Sequence, residues 1–386
     1  MRTLAPFLLL AACSGTPTQP TTESIDQKPI TPITQVVAEQ ASKSKTCFEG
    51  EKRAPLTTVD LSKLTLPAGK VKFPVERSTA TGGPFVLFPE YHTYNTHDAK
   101  GALPANQRTF NNNLFQNIAH IVERYEVPNL AFEADEGPFP ALDRSLKNGY
   151  TLREAFDFQE NNFGMDAEQK RAFELAYSLY KDNAKTWQEK KALSDRFAPL
   201  LDVRDSLKAV FGQCSDLSFI AADVDDYNDY MINKVHTPLS TLDASREQLD
   251  IVYHPIVTDK PEELAWEYCH QLALYAERVE TGYKLAVTDR NEAAVQKICA
   301  GKNAATIDYG ASHVQDLAEG LSTCGSSVII ETDGFNELQK ADGLQNPYDG
   351  SFANFASMYP NPKDLSVTLN GRVQRCSDIY KDDAKQ

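Results

Sequence analysis

Beyond its first dozen residues the chain has no apolar run long enough for a membrane-spanning helix. It has no GxxxxGK[ST] and no GxGxxG, which leaves phosphate and dinucleotide cradles without a motif. Neither HExxH nor any CxxC pair occurs, so a helical zinc site, a zinc knuckle and a thioredoxin-type redox centre all lack their ligand spacing. Basic residues are also short. With 39 lysines and arginines against 54 acidic residues, the formal charge is -15, which argues against nucleic acid as a partner.

What is present is enough for a core. Hydrophobic residues make up 41% of the 386 positions and aromatics 10%, too apolar for a disordered chain and enough for one large or two ordinary domains. The start is different. "MRTLAPFLLLAAC" has one positive charge at Arg2, an apolar stretch and small residues before Cys13, the layout of an export signal. "LAAC" resembles a bacterial lipobox, which implies a signal peptide over 1–12 and a lipidated Cys13 anchoring the chain to a membrane. Residues 13–50 are rich in Ser, Thr, Pro and Gln at their start and read as a flexible linker. Ser14 is not the aspartate of inner-membrane retention, so the expected location is extracytoplasmic in the cell envelope, at the outer membrane where two membranes exist.

Six cysteines follow Cys13: Cys47, Cys214, Cys269, Cys299, Cys324 and Cys376. An even number in an exported chain points to structural disulfides, with the pairing left open.

From residue 51 to 386, short apolar runs alternate with longer periodic ones. Strands are expected at 85–88, 129–134, 217–224, 305–311 and 327–332. Phe110, Leu114, Ile118, Ile121, Val122 and Tyr125 recur at helical spacing between the first two, and a mostly helical insertion fills about 139–211. Another helix is expected to begin near Pro261. Strands separated by helices imply an α/β fold, a mostly parallel central sheet with helices on both faces. In such sheets ligands bind outside the carboxyl ends of the strands.

Those ends are where the polar residues gather. "FPEYH" places Glu90 and His92 two apart, facing one way from an extended segment. "LAFEADEG" ends the second strand with Glu133 and Asp135, so the two strands, read as adjacent, could deliver three carboxylates and an imidazole to one edge. "ADVDDYND" ends the third with Asp223 and Asp225, where acidic residues often only cap the next helix. "YGASHV" ends the fourth, with Gly310 permitting close approach and His313 opening a helix. Mixed imidazole and carboxylate donors at Glu90, His92, Glu133 and His313 suit a divalent metal, Mn, Co, Fe or Zn. His97, His120, His236, His254 and His270 read as surface or packing residues, with His270 exposed.

The ordered set "FPEYH", "LAFEADEG", "TDRNEAAVQKI" and "IDYGASHVQDLAEGL", from Phe85 to Ile330, resembles the superfamily that joins TraB and Tiki proteins, erythromycin esterase and the ChaN haem-binding lipoproteins. Pro89 stands where that family usually has glycine. The resemblance implies a site built of Glu90, His92, Glu133, Arg290 and His313, supported by Asn291 and Gly310. Asp289 and Glu292 would form a cap placing Arg290 in the first helical turn. Within the family, Tiki-like members resemble metal-dependent peptidases, erythromycin esterase opens a lactone, and ChaN-like lipoproteins bind haem. The expectation is a lipid-anchored hydrolase of an ester or peptide bond, metal-dependent or assisted by His and Glu. The alternatives are a haem binder using Tyr91 and Tyr94 beside His92, or an inactive envelope scaffold. Its ligand is accordingly a small molecule, a peptide or haem.

Overall fold

A computed structural model describes residues 46–73, 82–91, 103–133, 139–151, 153–154, 166–225, 230, 259, 265–266, 269–270, 280–301, 303–341, 348, 350, 366–376 and 378. Within them, β1 is Ala54–Pro55, β2 Gly69–Val71, β3 Gly82–Glu90, α1 Ala105–Arg124, β4 Tyr125–Glu126 and β5 Asn129–Phe132. The insertion carries α2 Pro140–Lys147, α3 Ala167–Lys181, α4 Trp187–Ala192 and α5 Val203–Phe211. Then follow β6 Ser218–Ala221, α6 Asp289–Ala300, β7 Ala305–Gly310, α7 Val314–Leu321, β8 Gly325–Thr332, α8 Phe335–Ala341, β9 Ser366–Leu369 and β10 Arg372–Arg375.

The main sheet has six strands in the order β2-β8-β3-β7-β5-β6, parallel throughout except for the edge strand β2, which runs antiparallel to β8. A strand covered on both faces must be apolar on both. Hence Phe85, Val86, Leu87 and Phe88 are all fully buried, each contributing roughly 1.5–3 kcal/mol by leaving water. Side chains alternate between faces. Thr332 meets Asn117 of α1 on one side, and Ser327 Oγ donates to the Ala318 carbonyl of α7 on the other, 3.2 Å away. Helix α1 buries the expected stripe of Phe110, Leu114, Ile118, Ile121 and Val122, and stops at Arg124 because Tyr125 turns extended to pair with Ala54.

The strand order corrects one expectation. The first two core strands, β3 and β5, are not neighbours, because β7 lies between them and pairs with both. Crossover connections decide neighbours in a parallel sheet, and a late strand can enter the middle. The edge strand β2 was not anticipated either. It is held by Glu331 on β8, which bonds Lys72 and lies 3.2 Å from Lys70. Burial would raise the Glu331 carboxyl, but hydrogen bonds from Lys72 and Lys70 outweigh it and hold the group below its ordinary range. A depressed carboxylate stabilises the fold above its unfolded pKa and loses that contribution as pH falls through the folded value. Lys72→Met should therefore lower the melting temperature at pH 7, with the difference from the parent shrinking toward pH 3. A constant difference at both pH values would assign the effect to packing instead.

Three disulfides, Cys47–Cys214, Cys269–Cys376 and Cys299–Cys324, use all six cysteines after Cys13. Cys13 itself and most of the helix expected near Pro261 lie outside the described residues. No described helix is long and apolar enough to cross a membrane.

Candidate functional site

Arg290 is the centre of the polar edge. It is 3% exposed, and its guanidinium meets groups from three strand ends at once. Nε donates to both Asp223 carboxylate oxygens at 3.1 Å, and Nη2 donates to Asp223 Oδ2 at 2.7 Å and to Glu133 Oε1. Nη1 reaches the Ala286 carbonyl at 3.4 Å and lies 3.5 Å from His313 Nε2. Burial opposes the charge, but Glu133, then Tyr309 and Asp223, outweigh it and hold the guanidinium firmly protonated. Burial also pushes the Asp223 carboxyl above its ordinary value, an effect that Arg290 opposes.

Each partner is fixed in turn. Glu133 follows β5, and its second oxygen accepts the Gly310 N–H at 2.8 Å, while its carbonyl takes Arg204 Nη1 at 3.0 Å. A Cβ at position 310 would stand 2.8 Å from Glu133 Oε2, closer than real Cβ atoms come, so a larger residue there would push the Glu133 carboxylate away from the Gly310 N–H. His313 closes a 3-10 turn after β7 and opens α7. Its Nδ1 lies 2.8 Å from Asn291 Oδ1; an amide oxygen only accepts, so this nitrogen carries the proton and Nε2 keeps its lone pair. The Tyr309 ring stands edge-on to the imidazole. Gly350 lies against the Ser312 carbonyl, where a Cβ would clash, and its own carbonyl accepts from Tyr283 at 3.0 Å.

The helix carrying Arg290 and Asn291 differs from expectation. Asp289 and Glu292 form no cap: α6 continues directly from a π-helical turn, Lys284–Thr288, and Thr288 makes no capping bond. A wide turn loosens the usual carbonyl pairing. Tyr230 bonds the Leu285 carbonyl there at 2.8 Å, and burial together with Asp289 pushes its hydroxyl up to about 12, so it remains a donor.

Of the residues named from the sequence, Glu133, Arg290, Asn291, Gly310 and His313 come together. No family model, curated protein or solved structure matches the chain.

Glu90 is buried at the end of β3, with Gly310 beside it in register. Tyr91 is buried and its ring packs edge-on against Phe335. His92, Tyr94 and Asp135 lie outside the described residues. Asp225 is exposed and pairs with Lys297 at 2.8 Å, a surface role, whereas Asp223 belongs to the arginine cluster. His270 is exposed and stacks on Trp266.

One residue had no place in the sequence reading. Asp308, on β7 between Phe88 and Phe132 in register, is 1% exposed and neither of its carboxylate oxygens has a hydrogen-bond partner among the described residues. Burial, then repulsion from Glu90 and Asp202, pushes it well above the carboxylate range against the pull of Arg204. The signal was a lone aspartate inside an apolar strand.

Among the described residues, one group of metal-type donors clusters closely: Cys47, Cys214 and Asp216. Its two sulfurs form a disulfide and Asp216 accepts the N–H groups of Cys47 and Phe48, so the group is a structural clasp. At the sheet edge, both Glu133 oxygens serve Arg290 and Gly310, and a cation against His313 Nε2 would stand beside the positive charge of the guanidinium, which a neutral water would not oppose. These donors fit an arginine better than a metal.

Proposed function

We propose that the chain is a hydrolase of an ester or peptide bond that activates water with His313 and stabilises negative charge with Arg290. It would be tethered outside the cytoplasm through a lipidated Cys13. The observation that carries this reading is the arrangement of His313: Asn291 fixes the Nδ1–H tautomer, leaving the Nε2 lone pair facing a buried, permanently charged guanidinium. The order of the motifs, which resembles that of the TraB, Tiki and erythromycin esterase superfamily, supports it.

In this mechanism Nε2 takes a proton from water as the water oxygen attacks the carbonyl carbon, and the charge that develops on the carbonyl oxygen falls to Arg290. The imidazolium then returns the proton to the leaving oxygen or nitrogen as the scissile bond breaks. Glu133 and Asp223 anchor the arginine, and neither needs to touch the substrate. The haem alternative rests on His92 and Tyr94, which lie outside the described residues, and on Tyr91, whose ring packs edge-on against Phe335.

The test is hydrolysis of a panel of ester, lactone and peptide substrates by the mature chain. His313→Ala should lower kcat/KM by about 10²–10⁴-fold while the protein stays folded. Asn291→Ala, which frees the tautomer, should reduce kcat with little change in KM. A chelator should leave the rate unchanged; loss on chelation with recovery on adding Mn, Co, Fe or Zn would establish the metal-dependent form instead. Full activity in His313→Ala would remove this residue from the chemistry.

A further inference from the structure

The face of β7 that carries Asp308 also carries Thr306, two residues earlier, because side chains alternate along a strand. Both are 1% exposed, and three atoms, Thr306 Oγ1 and the two Asp308 carboxyl oxygens, have no hydrogen-bond partner among the described residues. Buried polar atoms are rarely left unbonded, and three side by side on one strand face call for a common cause. The flanking strands offer none. Val86 and Leu130 stand in register beside Thr306, and Phe88 and Phe132 beside Asp308, so both side walls are apolar.

We propose that this face of β7 holds an internal water site, with Thr306 Oγ1 and the Asp308 carboxyl group as its ligands. Two residues of strand rise about 6.6 Å, and one water bonded at about 2.8 Å to each side covers up to about 5.6 Å of it, the reach of the Asp308 carboxyl beyond its Cβ supplying the rest. The donor types match. A neutral carboxyl group and a hydroxyl can each donate and accept, so a water between them satisfies both whichever way it is oriented. Glu90 continues the same face of β3 two positions beyond Phe88, which places the site directly beneath the candidate catalytic edge. A buried water commonly makes two to four such bonds and is part of the fold it satisfies. The site stands on β7 alone and does not depend on the hydrolase reading.

Thr306→Val, of nearly the same shape, separates the two cases. If water is bound, the substitution removes one of its ligands, and the melting temperature of the mature chain should fall by about 2–4 °C. If the face is dry, the valine removes an unbonded hydroxyl and the melting temperature should hold or rise, which would overturn the proposal. A crystal structure of the parent chain gives an independent reading: a density peak within about 3 Å of both Thr306 Oγ1 and an Asp308 oxygen is expected. No peak there, or either group bonded to a protein atom instead, would also overturn it.

Discussion

Replacing Arg290 with methionine should destabilise the fold by about 3–5 kcal/mol, beyond any loss of activity, because it strands two buried acids without their shared cation. Asp223 and Glu133 are respectively 2% and 13% exposed in their side chains, and the guanidinium supplies Asp223 with three contacts and Glu133 with one. Methionine fills a similar volume but donates nothing. The cost should show as a lower urea midpoint with an unchanged slope, since the surface exposed on unfolding is the same. Arg290→Lys would keep the charge and lose the fork that spans two carboxylates, so its cost should be smaller but clear. A third variant tests the cause. Adding Asp223→Asn to Arg290→Met removes one stranded charge and should recover part of the stability, a non-additivity expected only of residues in direct contact. If Arg290→Met unfolds at the parent's midpoint, the cluster is not what holds the strand ends together.

Much of this cluster could be read from the chain alone, for a physical reason. Strand interiors in a covered sheet must be apolar, so a run such as "FVLF" announces itself, and the first polar residue after it marks the edge where sites form. Glu133, Gly310 and His313 were found by that rule, and all three meet around Arg290. What failed was adjacency. Nothing local in "ATIDYGA" says that it inserts between two strands far earlier in the chain, since that is decided by how crossovers pack over the sheet. The π-helical turn before Arg290 was equally invisible. "KLAVTDRNEAA" has helical composition throughout, and Asp289 and Glu292 have the spacing of a capping pair although the helix runs through them without a cap. Asp308 shows the opposite failing: its sequence signal was plain, but a charged residue within an apolar strand contradicts the pattern that found the others.

The second large effect concerns where the folded body begins. Cys47 is bonded to Cys214 across 167 positions, and a cross-link closing so long a loop removes more disorder from the unfolded chain than a short one. On the chain-entropy estimate, losing this disulfide should cost roughly 5 kcal/mol, against roughly 3.5 kcal/mol for Cys299–Cys324. That second bond spans only 25 positions. Local packing increases the contrast. Cys47 and Phe48 donate backbone N–H groups to Asp216, Trp187 Nε1 donates to the Cys47 carbonyl at 3.2 Å, and the Phe48 ring sits among Trp187, Phe211 and the Arg53 guanidinium. Freed from its bond, the segment would keep these contacts only by paying its own ordering entropy. Cys47→Ala/Cys214→Ala should accordingly lower the urea midpoint further than Cys299→Ala/Cys324→Ala, each pair compared with the oxidised parent. The reverse order would mean that closure of the long loop contributes little, because the unfolded chain already holds these two segments close together.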